Sequence, residues 1–255
     1  MLMLSNLDNF KVRSFKIKKT KNMIEQIQTN KLLFMDIETC GSYATLEELE
    51  DNNVVLFNLW NKMGDSYFRR HYPEDERMSS GELFKKYSGL LPEFGRVVCV
   101  SAGFIMDGER KIQSFSKGGE EDILKDTVNL LNRVHKLSFS LCGHNIKTFD
   151  LPYLGKRMLI NKIKPSPIMP SYDTKPWEIK ALDTKELWNF GSYKGLSALH
   201  LVCSVLGLDT PKEGNVDGSN IHKSYYEDNN ISEIKEYCEK DVNALMDIIS
   251  HVKSL

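Results

Sequence analysis

Apolar positions first crowd together at residues 32–38, where Leu32, Leu33, Phe34, Met35 and Ile37 form a run broken by Asp36 and followed by Glu38 and Thr39. A run this short and this apolar predicts a central strand buried on both faces. Val97–Phe104 and Lys111–Phe115 predict two more strands, joined across Asp107-Gly108, a hairpin turn signal. Leu137 to Cys142 predicts a fourth, followed by a turn at Gly143 and a helix start around Pro152. Proline suits the first helical turn, where its missing N–H is no loss. Helical spacing governs Ile123–Val134 and, most clearly, the C-terminal segment, where Cys238, Val242, Leu245, Ile249 and Val252 repeat at intervals of 4, 3, 4 and 3. Asn230, with Glu233 three residues on, marks where that helix begins. Between Gly41 and Gly95 the pattern is helical again: Leu46, Leu49, Val54, Leu56, Leu59 and Trp60 lie among charges, and a second helix is expected near Ser80–Tyr87. The order is strand, mainly helical insertion over 42–94, two strands, helix, strand, helices. It predicts an α/β chain with a mixed sheet flanked by helices. The chain divides into a basic extension over 1–30 and a domain over 31–255, with no internal repeat.

Three acidic motifs interrupt these elements, in LLFMDIET, GHNIKTFD and EYCEKD. Asp36 and Glu38 are two apart on one strand, so their side chains leave it on the same side. Paired carboxylates at a buried strand end call for a compensating cation, and oxygen ligands favour hard ions such as Mg²⁺ or Mn²⁺. The alternative is a strand end whose acids are solvated or cap the next turn. Asp150 has a capping alternative of its own, as the residue just before the helix that holds Pro152. Tyr237 and Asp241 are four apart, so they stack on one helix face beside the apolar stripe. A phenol and a carboxylate can reach one ligand there, or stand as an ordinary core-margin tyrosine and a solvated acid. Zinc is disfavoured: Cys40, Cys99, Cys142, Cys203 and Cys238 form no CxxC, although Cys142 lies near His144. Asp183 follows Ala181-Leu182 and is read as the cap of a helix starting near Lys185, with an approach to the acidic cluster as the alternative.

Taken in order, the motifs resemble those of the tyrosine branch of the RNase H-like 3′–5′ exonucleases (DEDDy), most closely the predicted exonucleases related to the proofreading domain of family B DNA polymerases. DIET stands at 36–39, Asn-x₃-Phe-Asp at 145–150 and Tyr-x₃-Asp at 237–241. The histidine branch would place His where this chain has Glu236. LDTKELWNF (182–190), LSALHLVCSVLGL (196–208) and VDGSNIHKSYY (216–226) extend the resemblance, which covers about residues 31–255. It implies an RNase H-like fold and two Mg²⁺ or Mn²⁺ ions. Asp36, Glu38 and Asp241 would hold one ion, Asp36 would bridge to the other, and Asp150 would support that second ion. Tyr237 would orient the attacking water, and Thr39, Asn145 and Phe149 would lie beside the terminal nucleotide. Phe149 has two readings, stacking on an unpaired base or packing in the core. The implied substrate is the 3′ end of a single-stranded nucleic acid, DNA favoured, with RNA trimming and a non-catalytic binding module as alternatives. A proofreading role would require a separate polymerase or repair partner, since no polymerase motif is apparent in these 255 residues.

Composition adds context. With 41% hydrophobic and 27% charged residues the chain reads as an ordinary globular protein. It has no apolar run near the roughly 20 residues that cross a bilayer, and the N-terminus lacks a basic leader ahead of an apolar core. Cysteines without a pairing pattern suggest reduced thiols, so a cytoplasmic location without membrane partners is expected. A net charge of −1 argues against gripping a long duplex, and any nucleic-acid track must be local. Candidate cations are Lys156, Arg157, Lys162, Lys164, Lys175, Lys180, Lys185 and Lys194, each of which is also read as plain solvated surface. Residues 11–21 form the most basic stretch, read equally as a backbone contact, a frayed extension or an edge strand.

Overall fold

A computed structural model describes residues 28–192, 195, 197–210 and 216–255. The basic stretch 11–21 and Lys194 lie outside the described residues. The sheet has five strands in the order β3-β2-β1-β4-β5. Central β1 (Leu32–Gly41) pairs antiparallel with β2 (Gly95–Met106) and parallel with β4 (Ser140–Gly143). Outside these, β3 (Glu109–Phe115) runs antiparallel to β2, and β5 (Ala181–Asp183) runs parallel to β4. The mixed α/β architecture follows the sequence pattern, and the β2–β3 hairpin turns at Asp107 and Gly108, both with positive φ.

The apolar run of β1 is buried on both faces. Leu33, Met35 and Ile37 enter one core with Ile123, Leu124 and Leu131 of helix α5 (Glu120–Lys136) and Leu151, Leu154 and Met158 of helix α6 (Asp150–Ile160). Leu32 and Phe34 enter another with Val242, Leu245 and Ile249 of helix α10 (Ile231–Ser254) and Val202 of helix α8 (Leu199–Leu206). Asn230 caps α10 by accepting from Glu233 N at 3.2 Å. One sequence-based strand assignment changes and one strand is added. The fourth strand spans only Ser140–Gly143, because α5 continues to Lys136 and ends at Ser138 in the left-handed region. The three-residue edge strand β5 has no sequence signal beyond Ala181-Leu182.

Between β1 and β2 the chain forms helices α1 (Leu46–Asn52), α2 (Val54–Leu59), α3 (Asp65–His71) and α4 (Ser80–Tyr87), with a π-turn at Trp60–Gly64 linking α2 to α3. Thr45, Asn53 and Ser79 cap α1, α2 and α4. These helices have an apolar core of their own in which Trp60 meets Phe84 and Phe94 edge-on. Val54 and Leu59, read as part of the apolar pattern, instead face solvent, at 55% and 40% exposure. Helix α7 (Thr184–Asn189) follows β5, and α9 (Ile221–Tyr226) precedes α10. Among the described residues no helix is long and apolar enough to cross a membrane.

Candidate active site

Asp36 and Glu38 leave β1 on the side that faces α10. Opposite them on β2 stand Ser101 and Cys99, and the register shifts between Glu38 and Thr39, a bulge that re-aims the strand end. On α10, Cys238 donates its thiol to Asp36 Oδ2 at 3.4 Å, and ligand atoms of Asp36, Glu38 and Cys238 all fall within 4.8 Å of one another. One turn along, Asp241 is buried with its Oδ1 left without a hydrogen-bond partner, and the Tyr237 hydroxyl beside it lowers its carboxyl. Asp150 closes the group from α6, with the Ile37 N–H, between the two acids of β1, donating to its carboxylate. The structure thus brings together Asp36, Glu38, Asp150, Tyr237 and Asp241 from three elements.

Asp150 is not the helix cap. Phe149 occupies that position and Asp150 is the first helical residue, with Pro152 in the first turn as expected. The residue that does cap is Asp183. It accepts from Lys185 N at 3.0 Å at the start of α7, and also from Asn145 N at 2.9 Å and Lys147 N at 3.3 Å. Both readings of Asp183 are therefore met, because its charge also raises Asp150. Asn145 sits at φ 61°, in the left-handed region that asparagine tolerates better than most residues. Its Oδ1 accepts from Lys185 Nζ at 3.0 Å and Thr148 Oγ1 at 2.6 Å. Phe149 packs against the core and Tyr153 on one side and lines a pocket beside Glu38 and Thr39 on the other.

The electrostatics are those of an anion cluster without its counter-charge. Burial, then the charges of Asp241 and Asp150, lift Asp36 well above the ordinary carboxylate range, although part of its side chain reaches solvent. Glu38 rises for the same reason, burial first and Asp36 next. Burial pushes Asp150 up to about 7, against hydrogen bonds from its own N–H and from Ile37. Burial also raises Asp241 to about 7, against the Tyr237 hydrogen bond. Four such carboxylates, with a buried unpaired oxygen on Asp241, fit hard divalent cations, which would remove the repulsion that raises them. Asp36, Glu38, Asp150 and Asp241 are the residues that could hold them. Tyr237 rises too, through burial and then the charges of Asp241, Glu38 and Asp36, so its phenol keeps its proton at neutral pH.

Several neighbours escape sequence reasoning. Gly218 lies beside Tyr237, in a turn in which Ser219 N and Oγ both donate to Asp217 Oδ1. Asp217-Gly218 is a legible turn signal, but nothing local says where the turn docks. Cys238 was readable as core and not as a neighbour of Asp36. Among the candidate cations, Arg157 is excluded from a surface track: it is buried and clamped by Glu120 and the Pro92 carbonyl. Lys156 pairs with Glu93 at 2.9 Å. His144 is bound to Thr184 Oγ1 at 2.9 Å and to the Ser197 carbonyl, and Cys142 lies in the apolar core.

A family model described as a predicted 3′–5′ exonuclease related to the exonuclease domain of PolB matches residues 90–246. The matched span contains Asp150, Tyr237 and Asp241, while β1 with Asp36 and Glu38 lies ahead of it. Among curated proteins none matches the chain. Among solved structures it is similar to the family B DNA polymerase from the hyperthermophilic archaeon Pyrobaculum calidifontis, with a TM-score of 0.55 and 14% identity over 87% of this chain. The similarity takes in 24% of the polymerase, so the chain corresponds to about a quarter of that protein.

Proposed function

The chain belongs to the family of predicted 3′–5′ exonucleases related to the exonuclease domain of PolB, and from that premise we propose that it is a metal-dependent 3′–5′ exonuclease acting on single-stranded ends, DNA in preference to RNA. The observation that carries the proposal is the convergence of Asp36, Glu38, Asp150 and Asp241, each raised by burial, on one site beside Tyr237.

In this reading Asp36, Glu38 and Asp241 would hold one Mg²⁺ or Mn²⁺, and Asp36 together with Asp150 would hold a second. When bound, the pair of ions supplies Lewis-acid assistance to both the attacking and the departing oxygen of an in-line displacement. The chain's own groups do the rest. Tyr237, which stands beside the Asp241 carboxylate, orients the attacking water. It acts as an orienting hydroxyl and not as a base, because its proton stays on. Asn145 and Phe149 hold the terminal nucleotide from the α6 side, and Thr39 does so from β1. Hydrolysis breaks the last phosphodiester between phosphorus and the 3′ oxygen. The products are a nucleoside 5′-monophosphate and a strand shortened by one residue with a new 3′-hydroxyl.

The test is a one-pot competition between DNA and RNA oligonucleotides of identical sequence, with the products separated by chromatography. Nucleoside 5′-monophosphates, formed faster from DNA, are expected. Release of 3′-monophosphates or of internal fragments would overturn the assignment, and faster loss of RNA would replace DNA by RNA trimming.

A further inference from the structure

A cavity of about 150 Å³ opens beside the acids and is walled by parts of the chain that the sequence keeps far apart. Glu38, Thr39 and Phe149 form the wall on the side of the site. The facing wall comes from the helices between β1 and β2: Lys85 and Lys86 in the last turn of α4, and Leu90 just beyond. This second wall is fixed to the strand that carries the acids. A Cβ placed on Gly89 would stand 2.9 Å from the Cα of Cys40, so the helical segment meets the backbone of β1 with no room for a side chain. Gly41 likewise has Ser88 Oγ and the His222 ring within 3 Å of where its Cβ would be. His222 secures the junction by accepting from Gly41 N at 3.2 Å through Nδ1 and reaching the Ala44 carbonyl at 3.0 Å through Nε2.

The charges of the two walls are opposite. A phosphodiester strand approaching four carboxylates meets a repulsive field, and Lys85 and Lys86 are the cations in the lining of the cavity. Their present partners distinguish them. Lys86 lies 2.6 Å from Asp75, a buried carboxylate that also takes the Tyr87 hydroxyl, so it is committed to the fold. Lys85 lies 3.1 Å from Glu227, with side chains 45% and 49% exposed, a surface pair that holds little free energy and exchanges readily.

We propose that the helical segment between β1 and β2 is the outer wall of the substrate pocket, and that Lys85 exchanges Glu227 for a phosphate of the single strand whose 3′ end lies at the acids. The inference rests on the nuclease reading above and assigns to the segment a role in binding the strand. Removing a lysine that neutralises one phosphate weakens binding without regard to sequence and without touching the chemical step. Such a lysine also adds about 0.7 to the slope of log affinity against log salt on a single strand.

The experiment measures kcat and KM of the full chain on a 5′-fluorescein oligothymidylate over a NaCl series. The variants are Lys85→Ala, Lys85→Arg, Glu227→Gln, Lys62→Ala as an exposed lysine of the same segment outside the cavity, and Asp36→Ala. Lys85→Ala is expected to raise KM about 5-fold, leave kcat within about 2-fold and flatten the salt slope by about 0.7. Lys85→Arg restores most of the loss, Glu227→Gln lowers KM, and Lys62→Ala behaves as wild type. A Lys85→Ala enzyme with unchanged KM and salt slope, or with only kcat reduced, overturns the proposal while leaving the nuclease reading in place. Should Asp36→Ala keep the wild-type rate, the nuclease reading falls first. Circular dichroism of each variant separates loss of binding from loss of fold.

Discussion

Tyr237 and Asp241 show how much of the proposed chemistry rests on single side chains. Their spacing puts them on one helix face, which the sequence displays, but Gly218 reaches the phenol from a turn whose docking is a tertiary fact. Removing only the hydroxyl therefore tests orientation apart from metal binding. Tyr237→Phe is expected to lower kcat about 10- to 100-fold and to leave Mg²⁺ or Mn²⁺ affinity by calorimetry within about 2-fold; collapse of that affinity would contradict the role given to the residue. The carboxylates make a second prediction, in pH. Their folded-state values are raised, so in metal-free protein the folded state binds protons more tightly than the unfolded chain. That stability is fully present below the ordinary carboxylate range and is lost as pH rises through about 7, where Asp150 and Asp241 ionise. Thermal melts in EDTA should lose several degrees between about pH 5 and pH 8, and divalent metal should restore the loss at the upper end. A flat EDTA profile would mean the acids do not burden the apo fold. Asp150 was ambiguous from sequence between cap and ligand because both roles place an acid beside a helix start, and Asp183 turned out to hold the cap of the neighbouring helix.

At the scale of elements, periodicity served well where one element buries a full face and poorly where it does not. The both-faces-buried β1 and the striped α10 were legible because every apolar position in them has a partner. Strand β4 was overextended by three residues, since Leu137 is apolar yet lies exposed at the end of α5. Strand β5 is too short for any period to register. The contact that locks α5, α6 and β2 together was likewise invisible: Glu120 accepts from Val97 N at 2.8 Å and from Arg157, both side chains buried. Arg157 looked like a surface cation because charged residues are seldom buried unless paired, and pairing is not written locally. Arg157→Ala would leave Glu120 buried without its counter-charge, and urea denaturation should show a loss of about 3–5 kcal/mol. A loss under about 1 kcal/mol would show that the pair is not holding those elements together.

The whole molecule joins a family-typical half to a strand and a helical segment that precede it. The family match begins at residue 90, so Asp150 and Asp241 lie within it while Asp36 and Glu38 reach the site only through the central position of β1 in the sheet. That convergence was anticipated from the order of three motifs, each weak alone. The helical segment, in contrast, carries no motif, and its relation to the site became visible only through the close approach of Gly89 and Gly41 to their neighbours. A net charge of −1 is compatible with the proposed nuclease, in which Lys85 would concentrate the attraction for a strand at the pocket rather than spread it over a face. The central claim, metal-dependent removal of nucleotides from a 3′ end, is tested most directly by a time course on 5′-labelled single-stranded DNA with Mg²⁺ or Mn²⁺, run for wild type, Asp36→Ala and wild type in EDTA. The account predicts a ladder that descends one nucleotide at a time for wild type alone; label that stays at full length in every lane, or a ladder that persists in Asp36→Ala, would contradict it.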